Sequence, residues 1–196
     1  STSFSIAMWV KPSSISGTPR LLDKHGSTGG YRIVLSSGKP KFTAKDGSSS
    51  TDLQADSALV ADVWSHLVVT YSSGSPHATK IYINGSEDKS GTTQAIAAST
   101  NNLLFGNDGG TGDFNGYLTD VRIYSVELSS AEVSSIYNSG LGEFTTMGST
   151  ITQNSNLVSY WNFHEGTGTT LTDVISGYNG TITDSVWSSD VISYGK

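Results

Sequence analysis

Short runs of alternating side chains, each closed by residues that cannot continue a ladder, constrain this chain more than any other feature. Ser3 to Lys11 puts Phe4, Ile6, Met8 and Val10 on one face and Ser5, Ala7, Trp9 and Lys11 on the other, and Pro12 follows. A period of two is that of a strand with one covered face, and proline is confined to the ends and edges of sheets. Comparable segments are Pro19 to Lys24, Tyr31 to Ser36, Lys41 to Lys45, Trp64 to Tyr71 and Thr79 to Asn84. Asn102 to Gly106, Gly116 to Tyr124, Leu157 to Phe163 and Thr181 to Val186 complete the series. Their connections are filled by Gly, Ser, Asn and Asp, and Asn84-Gly85 is the strongest hairpin signal, because a primed turn needs two residues tolerant of positive φ. One stretch departs from the pattern: Leu128 to Tyr137 sets Val133, Ile136 and Tyr137 at helical spacing, with Ser129 and Glu132 placed as a capping box. The expectation is an all-β fold, a two-sheet antiparallel β-sandwich with one short surface helix.

Composition narrows the partners. The chain has 196 residues, enough for one domain that buries about 70% of its unfolded surface. It holds 34 Ser and 22 Thr, and only 14% of residues are charged, so hydroxyls are assigned to the solvent-facing half of the strands. Absence of cysteine excludes a disulfide framework, a thiolate metal site and a cysteine nucleophile. A net charge of -6 without a basic cluster argues against nucleic acid and against anionic membranes, both of which recruit Lys and Arg. No run approaches the ~20 apolar residues of a membrane span.

Catalysis has little support. Glu87, Glu127, Glu132, Glu143 and Glu165 lie in turns, the helix region or a linker, and none alternates with another acid along a strand. His25, His66, His77 and His164 are dispersed; His66, inside a strand, reads as a hydrogen-bonded structural residue. Trp9, Trp64 and Trp161 sit within strand patterns and read as core, with ring nitrogens that need internal partners. The chain is not expected to be an enzyme.

Six blocks, FSIAMWVKP, GYRIVLSSGKPKF, VWSHLVVTYSS, KIYINGS, LLFGNDGG and FNGYLTDVRIYSVELSSAEVSSIY, run in order from Phe4 to Tyr137. In this order they resemble the laminin-G-like, concanavalin-A-like jelly rolls. Leu157 to Gly180, LVSYWNFHEGTGTTLTDVISGYNG, is similar to the opening of such a domain, yet it stands at the C-terminal end, so the register is rotated. The organisation expected is a main body over 1–139, a linker over 140–156, and opening strands over 157–196 that complete this sandwich or a neighbour's. A strand of S-F-D/N-G type usual in the family has no counterpart.

Candidate sites follow. Thr172 to Gly180 offers a carboxylate, an amide and glycines that let carbonyls turn inward, a chemistry suited to calcium. The resemblance implies a calcium held by Asp173, Asn179 and Asp120, although Thr119 replaces a further acid usual beside the last. A sugar site combines oriented polar groups with an aromatic face, which nominates His25, Tyr31, Asn107, Asp108 and Asp113. The sequons Asn84-Gly85-Ser86 and Asn179-Gly180-Thr181 mark glycosylation candidates at Asn84 and Asn179; a glycan at the second would compete with calcium. The functional expectation is a secreted or cell-surface, non-catalytic module of a repetitive surface or filament protein, serving adhesion or assembly. Its partners would be a glycan, a surface protein or further copies joined by strand exchange. The alternative is a calcium-dependent carbohydrate-binding module of a polysaccharide-degrading enzyme.

Overall fold

The structure, a computed structural model, describes residues 2–107, 110, 112–139 and 156–188. In chain order its strands are β1 (Phe4–Pro12), β2 (Arg20–Asp23), β3 (Gly30–Ser36), β4 (Lys39–Lys45), β5 (Ser50–Gln54), β6 (Ser65–Tyr71), β7 (His77–Ile83) and β8 (Ser86–Thr93). Then come β9 (Leu104–Phe105), β10 (Gly116–Tyr124), the helix α1 (Ser130–Ser139), β11 (Leu157–Trp161), β12 (Thr170–Leu171) and β13 (Gly180–Thr181). Sheet A has the order β11-β10-β1-β6-β7-β8 and sheet B the order β5-β4-β3-β2-β9; β12 and β13 form a small hairpin. All pairings are antiparallel. The fold is the expected two-sheet sandwich.

Ile6, Met8 and Val10 of β1 enter the core between the sheets, beside Leu67 and Val69 of β6 and facing Ile33, Leu35 and Phe42 of sheet B. Each such side chain contributes roughly 1.5–3 kcal/mol when fully buried. The opposite face of β1 is also covered. Ala7 packs with Val68, Tyr82, Tyr124 and Tyr160 in a second cluster closed by Leu128 and by Val133 of α1. Trp9 and Ser5 on the same face are buried as well. The helix thus converts a half-buried strand into one buried on both sides. Part of the hydroxyl content follows it inside: Ser5, Thr43, Ser65, Thr70 and Thr79 are buried, contrary to the assignment of hydroxyls to solvent. Ser5 Oγ donates to Val126 O at 2.8 Å and accepts the Leu128 N–H at 2.9 Å, tying the helix approach to β1.

Two local devices were legible. Ser129 Oγ accepts the Glu132 N–H at 3.3 Å while Glu132 Oε2 accepts the Ser129 N–H at 2.8 Å, completing the capping box. Asn84 and Gly85, at φ 51° and 80°, make the two-residue turn between β7 and β8. A Cβ at Gly85 would stand 2.7 Å from a Tyr137 ring carbon, so glycine serves both the turn and the docking of α1.

His66 is packed between rings, not hydrogen-bonded through Nδ1: its ring lies tilted against those of Trp9 and Tyr137, with centroids 5.2 and 5.9 Å away. Burial, aided by the Arg122 charge, depresses it from 6.5 to about 3. The unfolded chain therefore takes up this proton first, so the stability from neutral His66 is full above about pH 6.5 and is lost as pH falls toward 3. The slope approaches 1.4 kcal/mol per pH unit for one proton. Asp120, pushed by burial to about 6, acts with the opposite sign, its contribution lost as pH rises through that value. Urea unfolding at stepped pH between 7.5 and 4 should show a steeper acid loss for the wild type than for His66→Gln. Parallel curves would refute the buried neutral imidazole.

Candidate functional site

The Asp173 loop lies against the free edge of β11. Asp173 Oδ1 accepts the N–H groups of Tyr160 at 3.0 Å, Ile175 at 3.0 Å and Ser176 at 3.3 Å, and Oδ2 accepts that of Tyr178 at 3.3 Å. Val174 N donates to Tyr160 O at 3.0 Å, and Ser176 Oγ donates to Val158 O. Asn179 Oδ1 accepts the Asp173 N–H at 3.0 Å. The loop thereby supplies an edge strand with the partners a neighbouring strand would give.

Asp120 is elsewhere, on β10, with β11 between it and Asp173. Met8 faces two β10 residues, Asp120 and Val121, at a bulge where Asp120 has φ 56°. Its Oδ1 receives Arg122 Nε at 2.7 Å and its Oδ2 receives Nη2 at 2.9 Å, both side chains being 2% exposed. The guanidinium carbon lies 5.3 Å from the Tyr160 ring centroid. Asp173 and Asn179 are brought together and Asp120 is not; the two carboxylates and the Asn179 amide oxygen are engaged by N–H groups or guanidinium. As arranged, the three do not fit an oxygen cage for calcium, and among the described residues no three His, Asp or Glu gather as a metal group.

The residues nominated for a sugar site fall at two ends of β2. His25 lies at one end, where its main-chain N–H donates to Asp23 Oδ1 at 2.8 Å and Asn101 Nδ2 donates to its carbonyl at 3.0 Å. Burial lowers its imidazole, with the cations Arg32 and Lys45 adding to the effect. Tyr31 points into the sandwich, its ring 4.9 Å from that of Phe4, and burial pushes its phenol up to about 12. At the other end Asn107 Nδ2 donates to Asp113 Oδ1 at 2.6 Å, and the Arg20 N–H reaches Gly112 O at 2.8 Å. Asp108 lies outside the described residues. Asn84 and Asn179 are exposed, each with its amide oxygen accepting a backbone N–H. Trp9 and Trp161 are core, and Trp161 Nε1 finds Tyr178 O at 3.2 Å. Trp64, expected there too, is only half-buried, beside Tyr117.

The outer face of sheet B lies apart from the residues the sequence nominates. Direct pairing places Arg20, Val34, Lys41 and Gln54 in one row across the sheet, and Asp23, Arg32, Thr43 and Asp52 in the next. Lys39 and Lys45 extend the same face along β4. The signal was present: six of the eleven cations fall between Arg20 and Lys45, and on β4 they recur at even intervals. The net charge of the whole chain conceals them. The two carboxylates, Asp23 and Asp52, stand three strand spacings apart, about 14 Å, beyond the ~5–9.5 Å of glycosidase pairs. The described glutamates in strands and turns have other work: Glu87 pairs with Lys80 at 3.0 Å, and Glu165 Oε1 accepts the Thr172 N–H at 2.7 Å.

A family model described as the Concanavalin A-like lectin/glucanases superfamily matches residues 1–134. The chain belongs to that superfamily. Within the concanavalin A-like fold, a proposed carbohydrate binding protein from Bacteroides ovatus superposes with a TM-score of 0.70 at 16% identity, over 92% of this chain and 51% of that one. Domain 4 of AbnA, a GH43 extracellular arabinanase from Geobacillus stearothermophilus, in complex with arabinotriose, gives 0.57 at 24% identity, over 69% and 66%. A heptameric SAP-like pentraxin from Limulus polyphemus gives 0.51 at 16% identity, over 69% and 70%. The chain spans about half the length of the first of these concanavalin A-like structures. No curated protein sequence matches it.

Proposed function

We propose that the chain is a non-catalytic carbohydrate-binding module that works outside the cell, its glycan lying on the outer face of sheet B. One observation carries this reading: α1 occupies the outer face of sheet A, whereas the corresponding face of sheet B presents rows of polar and charged side chains with no second helix over them among the described residues. The spacing of Asp23 and Asp52 supports binding without hydrolysis. Similarity to domains whose descriptions name carbohydrate supports the ligand class. An assembling role by strand exchange through β11 would first have to displace the Asp173 loop from its edge.

Screening the labelled protein on immobilised neutral and acidic polysaccharides should give saturable retention of at least one class, with no release of reducing ends. Silence across the panel would remove the reading. Product formation abolished by Asp23→Asn or Asp52→Asn would replace it with an enzyme.

A further inference from the structure

The outer face of sheet B carries five cations, Arg20, Arg32, Lys39, Lys41 and Lys45, against two carboxylates, in a chain whose net charge is -6. Arg20 Nε lies 3.6 Å from Asp23, and Lys41 Nζ lies 3.0 Å from Asp52, which also accepts the Thr43 hydroxyl at 2.6 Å. Both acids are thereby engaged. Among the described residues no carboxylate lies within 4 Å of Arg32, Lys39 or Lys45; Arg32 Nε donates to the Thr43 hydroxyl at 3.4 Å, and the Arg32 and Lys39 charges help to lower Asp52 and Asp88. Alternate residues of a strand are about 6.8 Å apart, so Lys39 to Lys45 spans about 20 Å along β4, with Arg32 one strand spacing to the side. All five side chains are half-buried, and the Nε of Arg20 is itself buried.

We propose that this face binds an acidic polysaccharide, whose uronate carboxylates or sulfates lie between Lys39, Lys41 and Lys45 of β4 and Arg32 of β3. This rests on the carbohydrate-binding reading and names its ligand class. Concentration of cations on one face of an otherwise acidic protein creates a local attraction that the net charge conceals. A sugar polymer is favoured over the other polyanions for two reasons. The rest of the chain repels a long, densely charged duplex. The one large apolar side chain in these rows, Val34, is 1% exposed and offers nothing to a bilayer. Gln54 beside the cations supplies an acceptor for sugar hydroxyls, which phosphate recognition would not need.

The test is affinity electrophoresis and calorimetry with polygalacturonate, alginate and heparin, against neutral arabinan and a DNA duplex of equal length, at 50 and 300 mM NaCl. Expected is binding to at least one acidic polysaccharide, weakened about tenfold or more by the added salt. Arg32→Gln/Lys45→Gln should lose about tenfold in affinity, with an unchanged melting temperature, while Lys80→Gln on sheet A binds as the wild type does. Binding of arabinan but not of the acidic polymers overturns this inference and leaves the carbohydrate-binding reading standing; binding of neither overturns both. Acidic binding undiminished in the double variant, or matched by DNA at the same salt, also overturns it.

Discussion

Replacing Arg122 by Met should lower the unfolding free energy by about 3–5 kcal/mol, because it strands the Asp120 carboxylate in a space closed to water. For a domain of this size the melting temperature falls by roughly 10 °C. Both oxygens of Asp120 are held by the guanidinium, the Tyr160 ring lies against it, and both side chains are buried. The pair itself gains little over an apolar filling, since its attraction is largely offset by the desolvation of two charges. Removing both charges is therefore expected to be far milder than removing one. Arg122→Met/Asp120→Asn makes this comparison cleanly, because Asn tolerates the positive φ of the bulge as Asp does. Chemical unfolding of the wild type, the single variant and the double variant decides it. A single variant that loses less than about 1 kcal/mol, or a double variant no better than the single, would show the pair is not sealed.

Asp173→Ala should cost about 3 kcal/mol, since four backbone N–H groups lose a charged acceptor, and a hydrogen bond to a charged group contributes about 1.5–3 kcal/mol. Partial compensation by water at the exposed residues of the loop keeps the sum below four such bonds. Asp173→Asn retains an acceptor oxygen and should recover about half. Hydrogen exchange localises the effect: the Tyr160 amide, protected through Asp173, should exchange faster while amides of β6 do not. Melting the wild type with calcium and with chelator should give one temperature, because the loop oxygens are occupied by its own N–H groups. A rise with calcium that Asp173→Ala abolishes would return the loop to metal binding.

How much of this was legible in the residues depended on where each strand sits. β1, β3 and β6 carry regular apolar alternation because one face of each meets the core, whereas a bulge interrupts it in β10. β5 and β8 escaped notice: Ser50 to Gln54 has Leu53 as its one large apolar residue, and Ser86 to Thr93 has none. Both are edge strands, exposed along much of their length, and an edge leaves little imprint on hydropathy. Asp120 could be nominated but not placed, because a bulge changes side-chain direction without changing composition. The nominated sugar residues were chosen as loop residues, yet Tyr31 belongs to the core-facing side of β3. The clustering of Lys39, Lys41, Lys45 and Arg32 is visible in the sequence, but only pairing shows that they share one face.

The helix on sheet A has a consequence for how such a module changes over evolutionary time. β1 and β6 are hemmed in on both sides, so nearly every substitution there disturbs one packed cluster or the other. On β3 and β4 the outward positions 32, 39, 41 and 45 alternate with the core residues Ile33, Leu35, Phe42 and Ala44 and point the other way. Ligand preference can therefore drift at those positions by single substitutions while folding stability is held constant by the opposite sheet, and the same division gives an engineer a surface to rewrite without reopening the core.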